Sequence, residues 1–253
     1  MKKQTLENIF IILISIGALC FVLIGGLSIW ADLEASVFNS ARRTTERLST
    51  FNCPSIISEN EVGIISASFT NTSEREIRPR IQTFVTDSYV ILMQEQIDTL
   101  IIAPGETTSV EVKVTADNAV YNRLILARMH QFNYGPLPYR NASCGIFILG
   151  TSFITGSQFI TLIVITGLIL SLSGIGLWLL KLKPIVWDRL TTLHEMIVFV
   201  VLALLIMIAG LVSRWIFGIF LIVIWLLLVV GIISQKVLST NDGSNQDKRH
   251  SIE

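Results

Sequence analysis

The chain has 253 residues, 51% of them apolar and 15% charged, with 19 basic and 19 acidic side chains. Soluble globular domains carry about 25% charged residues, and the mean hydropathy of +0.64 departs in the same direction. These values argue against a single water-soluble core, and the balanced charge gives no electrostatic case for a nucleic-acid partner.

The first element in chain order is the uncharged run Ile9 to Trp30. About 20 apolar residues, rising about 1.5 Å each, cross a hydrocarbon layer about 30 Å thick. Residues 1–30 therefore read as a transmembrane anchor. Met1, Lys2 and Lys3 also resemble the basic start of a signal peptide. However, the run exceeds the roughly 7–15 residues of a signal core, and Leu27-Ser28-Ile29 is not a small-residue cleavage site. An uncleaved anchor is expected.

Ala31 to Thr50 contains no Gly or Pro. The segment predicts a helical stalk over residues 31–50 that continues the first span outward by about 30 Å. Leu33, Val37, Ala41 and Leu48 are expected to face the next domain, with Arg42, Arg43, Glu46 and Arg47 mainly solvated.

Residues 51–150 alternate as strands do. Ile65, Ala67 and Phe69 interleave with Ser66, Ser68 and Thr70, and Val110, Val112 and Val114 interleave with Glu111, Lys113 and Thr115. Further strands are expected over Ile77–Thr86, Tyr89–Asp98, Leu124–Phe132 and Cys144–Leu149. Turn residues separate them, such as Asn71-Thr72-Ser73, Pro104-Gly105-Glu106 and Asp117-Asn118. Short strands at such spacing predict a β-sandwich. The segment Ala103-Pro104-Gly105-Glu106-Thr107-Thr108-Ser109-Val110-Glu111-Val112-Lys113-Val114, preceded by a strand ending Phe69-Thr70-Asn71-Thr72, resembles bacterial immunoglobulin-like domains of the CARDB and NEW3 type. That resemblance implies an immunoglobulin-like fold in adhesive or scaffolding use, and it brings no catalytic residues.

Cys20 lies in the first span, whereas Cys53 and Cys144 bracket the strand-rich segment. An even pair in an oxidising compartment predicts a disulfide, the alternative being two buried free thiols. A bridge there requires the first and last strands to start at the end of the domain far from the membrane and to run parallel. Asn71-Thr72-Ser73 and Asn141-Ala142-Ser143 are sequons, open to glycosylation in a eukaryotic host.

The remaining chain is again apolar. Residues 159–180 form a second span, 181–195 a loop, 196–233 a hairpin of third and fourth spans hinged at Ser213-Arg214, and 234–253 a polar, disordered tail. Lys2, Lys3, Lys181, Lys183, Arg189, Lys236, Lys248 and Arg249 sit on one side of these spans. The positive-inside rule then places both termini in the cytoplasm of a multi-pass plasma-membrane protein, with residues 31–157 outside. Trp30, Trp178, Trp187 and Trp215 fall at span ends, as an aromatic belt requires. Gly167 and Ser171 form a small-xxx-small packing face toward another span or another subunit.

The expected fold class is thus α+β, with four transmembrane helices and an extracytoplasmic immunoglobulin-like sandwich. The segment Gln131 to Arg140 is the best candidate binding loop, because Phe132, Tyr134, Tyr139 and Arg140 are residue types enriched at binding hot spots. His130 and His194 lack any HExxH or CxxC setting, so no metal or cofactor is expected. No GxSxG, Walker loop or paired-carboxylate motif points to an enzyme. The leading expectation is a non-enzymatic protein that uses the lipid bilayer as its anchor and binds a protein partner or other membrane subunits. A sensor, or an accessory subunit of a transporter, is the alternative.

Overall fold

The computed structural model describes residues 3–39, 46–132, 138–181 and 187–250. Helix α1 spans Lys3–Val37. Strands β1 (Ile56–Ser58), β2 (Gly63–Thr70), β3 (Arg80–Asp87), β4 (Tyr89–Thr99), β5 (Thr107–Val114), β6 (Leu124–Gln131) and β7 (Arg140–Leu149) follow, and then helices α2 (Gly156–Lys181), α3 (Trp187–Leu211) and α4 (Trp215–His250). The chain is a mixed α+β protein. Within its helices, Asn8–Val37, Gly156–Leu180, Leu193–Leu211 and Trp215–Ser234 are long and apolar enough to cross a membrane.

Helix α1 is the centre of the helical part, contacted by α2, α3 and α4. Small residues set the spacing, because backbones approach closely only where no Cβ intervenes. A Cβ at Gly17 would lie 2.7 Å from the Gly167 carbonyl oxygen, and one at Gly25 would lie 2.7 Å from that of Ile206. The Gly167–Ser171 face therefore packs on α1 of the same chain. Ser213 ends α3 with a left-handed φ of 53°. Its N–H donates to Gly210 O at 3.0 Å, and the Arg214 N–H donates to Ala209 O at 2.9 Å. This is the Schellman closure of a helix end, and it makes the expected α3–α4 hairpin.

The strands form a five-stranded sheet in the order β1-β7-β6-β3-β4 and a two-stranded sheet of β2 and β5. Both contribute to one apolar core, which includes Ile65, Phe69, Ile81, Val112, Ile125, Met129 and Ile146. β1 pairs with β7 in parallel, Ile56 opposite Phe147. Cys53 and Cys144 are disulfide-bonded, with Cα atoms 6.5 Å apart. Cys144 sits mid-strand rather than at the start of β7, which begins at Arg140. The Pro104-Gly105-Glu106 turn is locked to the end of β2. The Gly105 N–H donates to Asn71 O, and the Asn71 N–H donates to Glu106 O, each at 2.9 Å. Gly105 takes φ 74°, which a side chain would strain. The Asn71 amide is wholly buried and donates to Arg75 O and Ile102 O at 2.7 and 2.9 Å. Its sequon therefore has no accessible nitrogen for a glycan.

Three expectations need correction. The stalk over residues 31–50 is only partly helical: α1 stops at Val37, Asn39 is left-handed with φ 43°, and residues 46–50 run beside β7. Residues 40–45, with Ala41, Arg42 and Arg43, lie outside the described residues. The helix stops because an arginine from β6 takes its last carbonyls, as described below. Secondly, Leu33 and Val37 point away from the domain, whereas Ala31, Ala35 and Phe38 cover Leu124 and Leu126 of β6. Small side chains let the helix lie close on the sheet. Thirdly, the tail 234–253, expected to be disordered, continues α4 as far as His250. Extending an existing helix costs far less than nucleating one, and no Pro occurs between Trp215 and His250.

The closest helix-to-sheet approach is at Gly145, where a Cβ would collide with the Ala31 carbonyl. Gly145→Val should therefore destabilise the folded chain by about 1–3 kcal/mol or more through overpacking. A thermal unfolding midpoint in detergent equal to that of the parent chain would contradict this packing.

Candidate functional site

Strand direction fixes which end of the domain is which. β7 runs toward α2, so the Gln131–Arg140 connection lies at the end remote from the helices. Tyr134 falls outside the described residues. The loop's two bases are well ordered by aromatic contacts. The Tyr139 hydroxyl and His130 Nδ1 are 2.9 Å apart, and their rings stack at 6.0 Å. Phe132 meets Tyr139 edge-on at 5.8 Å, Phe84 meets His130 at 5.8 Å, and the Arg80 guanidinium lies 6.0 Å over Phe132. Arg140 Nε bonds Glu46 Oε2 at 3.1 Å. Phe132, Tyr139 and Arg140 are thus brought together, half-buried, as a rigid platform. Beside them lies a 270 Å³ hollow whose lining includes Thr50, Ser68, Gln131 and Arg140. Rigid rings and a pinned Arg can present a fixed surface at little entropic cost.

Polar contacts along the side of the domain that faces α1, and at its helix-proximal end, tie the domain to the helices. Asp32 of α1 is only 5% exposed, and its Oδ1 accepts the Gly145 N–H at 3.1 Å. The Ser213 side chain bonds the same carboxyl, and Arg47 contributes positive charge to it. Arg47 Nη1 also donates to Ser213 O at 3.3 Å. Buried Arg128 of β6 donates from Nη1 to Asn39 O at 3.0 Å and from Nη2 to Ser36 O at 2.9 Å. A cation on the last carbonyls of a helix satisfies orphan acceptors and opposes the negative end of the macrodipole. Glu61 does the converse for α2. Its Oε2 accepts from Gly156 N at 2.7 Å and Ser58 N at 2.9 Å. Thr155 and Gln158 complete that cap reciprocally, at 3.1 and 3.3 Å.

Sequence reasoning missed this junction. Arg47 and Glu46 read as solvated, yet one reaches the α3–α4 turn and the other pairs with Arg140. The available signal was an acid placed two residues beyond Trp30, where the chain leaves its apolar run. His130, considered as a ligand, instead belongs to the ring stack. Among the described residues no three His, Cys, Asp or Glu side chains gather as a metal site.

No protein-family model matches the chain, and no curated protein matches it. Solved structures with low similarity do exist. A CARDB domain from Pyrococcus furiosus, crystallised with di-metal ions, is 8% identical with a TM-score of 0.31, over 39% of this chain and 84% of that one. A cycloisomaltooligosaccharide glucanotransferase from Paenibacillus sp. is 16% identical with a TM-score of 0.32, over 43% of this chain and 14% of that one. A β-glucosidase from Listeria innocua is 14% identical with a TM-score of 0.29, over 41% of this chain and 16% of that one.

Arg128→Met keeps the side-chain volume but removes both bonds to the α1 terminus. The loss should be about 3–6 kcal/mol, since hydrogen bonds to charged groups contribute about 1.5–3 kcal/mol each. Amide hydrogen exchange over residues 31–38 should accelerate. Unchanged protection there would show that the cap does not hold the helix end.

Proposed function

We propose that the chain is a non-enzymatic membrane protein that spans the bilayer four times and displays an immunoglobulin-like domain, outside the cytoplasm, to a protein partner or to other subunits of a membrane assembly. Exposed side chains support the lipid setting. Leu162, Ile165, Ile169 and Leu172 of α2, and Phe220, Leu227 and Val230 of α4, form long uncovered apolar faces that water would penalise. Both termini lie on the cytoplasmic side in this reading, as the distribution of Lys and Arg requires.

The observation that carries the proposal is the clamp between domain and helices. Asp32, Arg47, Glu61 and Arg128 fix the domain to α1, α2 and the α3–α4 turn at once. A fixed domain holds the Phe132–Tyr139–Arg140 platform at a set height and orientation above the membrane, which suits assembly with a neighbour. The sensor alternative draws on one feature, the unbroken course of α1 from Lys3 to Val37, which would carry domain movement through the bilayer.

Co-purification of the full chain from its native membrane in mild detergent is the decisive experiment. A stable complex is expected, and the F132A/Y134A/Y139A chain should lose the partner while still purifying as a folded, monodisperse protein. Recovery of a lone monomer from both chains would sink the binding reading. Labelling of the reduced Cys53–Cys144 pair by a cytosol-confined thiol reagent would sink the topology.

A further inference from the structure

We propose that the helix-proximal rim of the strand-rich domain is a lipid-binding surface, on which Tyr89, Tyr121 and Phe153 seat against zwitterionic headgroups of the bilayer that the four helices span. The proposal rests on the membrane reading above.

Strand topology brings these residues to one end. Leu124, the first residue of β6, pairs with Phe147 of β7, and the Phe147 ring lies 6.4 Å from that of Trp30 on α1. The start of β6 is therefore level with the end of the first apolar run. β3 is antiparallel to β6, so its end at Asp87 and the start of β4 at Tyr89 share that level. Phe153 lies in the connection between β7 and α2, three residues before Gly156.

Large exposed aromatic and apolar side chains gather at this end. Phe153 is 93% exposed, Tyr121 69% and Tyr89 66%, with Val62 exposed on the neighbouring β1–β2 turn. Aromatic residues with an apolar body and a polar tip concentrate at the membrane–water interface. The backbone holds them outward. Ser88, Tyr121 and Asn122 have φ values of 61°, 54° and 55°, a conformation that costs a side-chain-bearing residue about 1–2 kcal/mol. Val120 and Leu124 lock the Tyr121 turn through backbone bonds of 2.7 and 3.1 Å.

The rim's charge selects the headgroup. Glu59, Glu61, Asp87 and Asp117 outnumber the cations Arg123 and, at the end of β5, Lys113, so anionic lipid has no electrostatic advantage. A hollow of 590 Å³ is lined by Ser88, Tyr89, Asp117, Tyr121 and Asn122, among others. Tyrosine faces beside a carboxylate suit a quaternary or primary ammonium through cation–π and ionic attraction. That is the chemistry of a choline or ethanolamine headgroup.

The test uses the full chain with Cys20 replaced by Ala, reconstituted in phosphatidylcholine nanodiscs. F153C and Y121C carry a fluorophore, T50C marks the remote end, and L227C marks an exposed helix face. Headgroup-nitroxide lipid should quench the labels at 153 and 121 several-fold more than that at 50, and acyl-chain nitroxide should quench the label at 227. Replacing a third of the lipid by phosphatidylglycerol should leave the rim quenching unchanged. Equal headgroup quenching at 153, 121 and 50, with 227 still quenched by the acyl probe, overturns the rim proposal alone. Loss of quenching at 227 overturns the membrane reading and the rim proposal with it. Quenching at the rim that appears only with phosphatidylglycerol overturns the assignment to zwitterionic headgroups.

Discussion

The contact on which this architecture turns is the meeting of Ala31 and Asp32 with Gly145. Here a helix built for an apolar setting continues onto the outer face of a sheet without changing direction. The Gly145 N–H and the Asp32 carboxylate bond at 3.1 Å because no Cβ keeps the backbones apart. A buried carboxylate is tolerable only where donors replace its hydration. The peptide N–H, with Ser213 and Arg47 beside the same carboxyl, supplies that replacement. These groups come from β7, from the α3–α4 turn and from the segment before β1. The carboxyl therefore gathers distant parts of the chain around one point.

Two apolar cores meet there as well. The helical core of Ile14, Phe21, Phe199 and Ala203 extends to Ile56 of β1 and Phe147 of β7. On the other side of α1, Ala31, Ala35 and Phe38 seal the outer face of β6. This explains why every residue of β6 is buried although the strand is polar in places. Leu124 and Leu126 lie under the helix, and Arg128 reaches its end. The loss of that guanidinium would leave the Ser36 and Asn39 carbonyls without it and would loosen the cover of a central strand.

Much of this was legible in the sequence because the relevant signals are local. Charge-free runs marked the helices, and the Ser213-Arg214 break marked the hairpin. Alternation marked the strands, and Asn71 with Pro104-Gly105-Glu106 marked a turn that is now seen bonded together. Cysteine parity pointed to the Cys53–Cys144 pair and, through it, to parallel first and last strands. What was not legible depends on partners remote in sequence. The end of α1 is set by Arg128, 89 residues beyond Asn39. The start of α2 is capped by Glu61, 95 residues before Gly156. Residue type alone made Glu46 and Arg47 look like solvated charges. Leu33 and Val37 lie on the face away from the domain, because close packing on the sheet favours the small Ala31 and Ala35.

The clamp also constrains how such a protein can work. Moving the domain relative to its helices would break bonds at Asp32, Arg128 and Glu61 together, each costing about 1.5–3 kcal/mol in the absence of replacements. Movement of α1 and domain as one body keeps the bonds of Asp32 to Gly145 and of Arg128 to the end of α1, and gives up those of Glu61 to α2 and of Arg47 to the α3–α4 turn, so it costs less than local rocking of the domain. In the bundle, α1 meets α2 and α3 through glycine-spaced backbones at Gly17 and Gly25, with few polar bonds to break. Any signal that crosses the chain would then travel as a shift of α1 between its neighbours rather than as a hinge between helices and domain. A chain that merely displays its platform needs no such shift, and the same packing would hold it still.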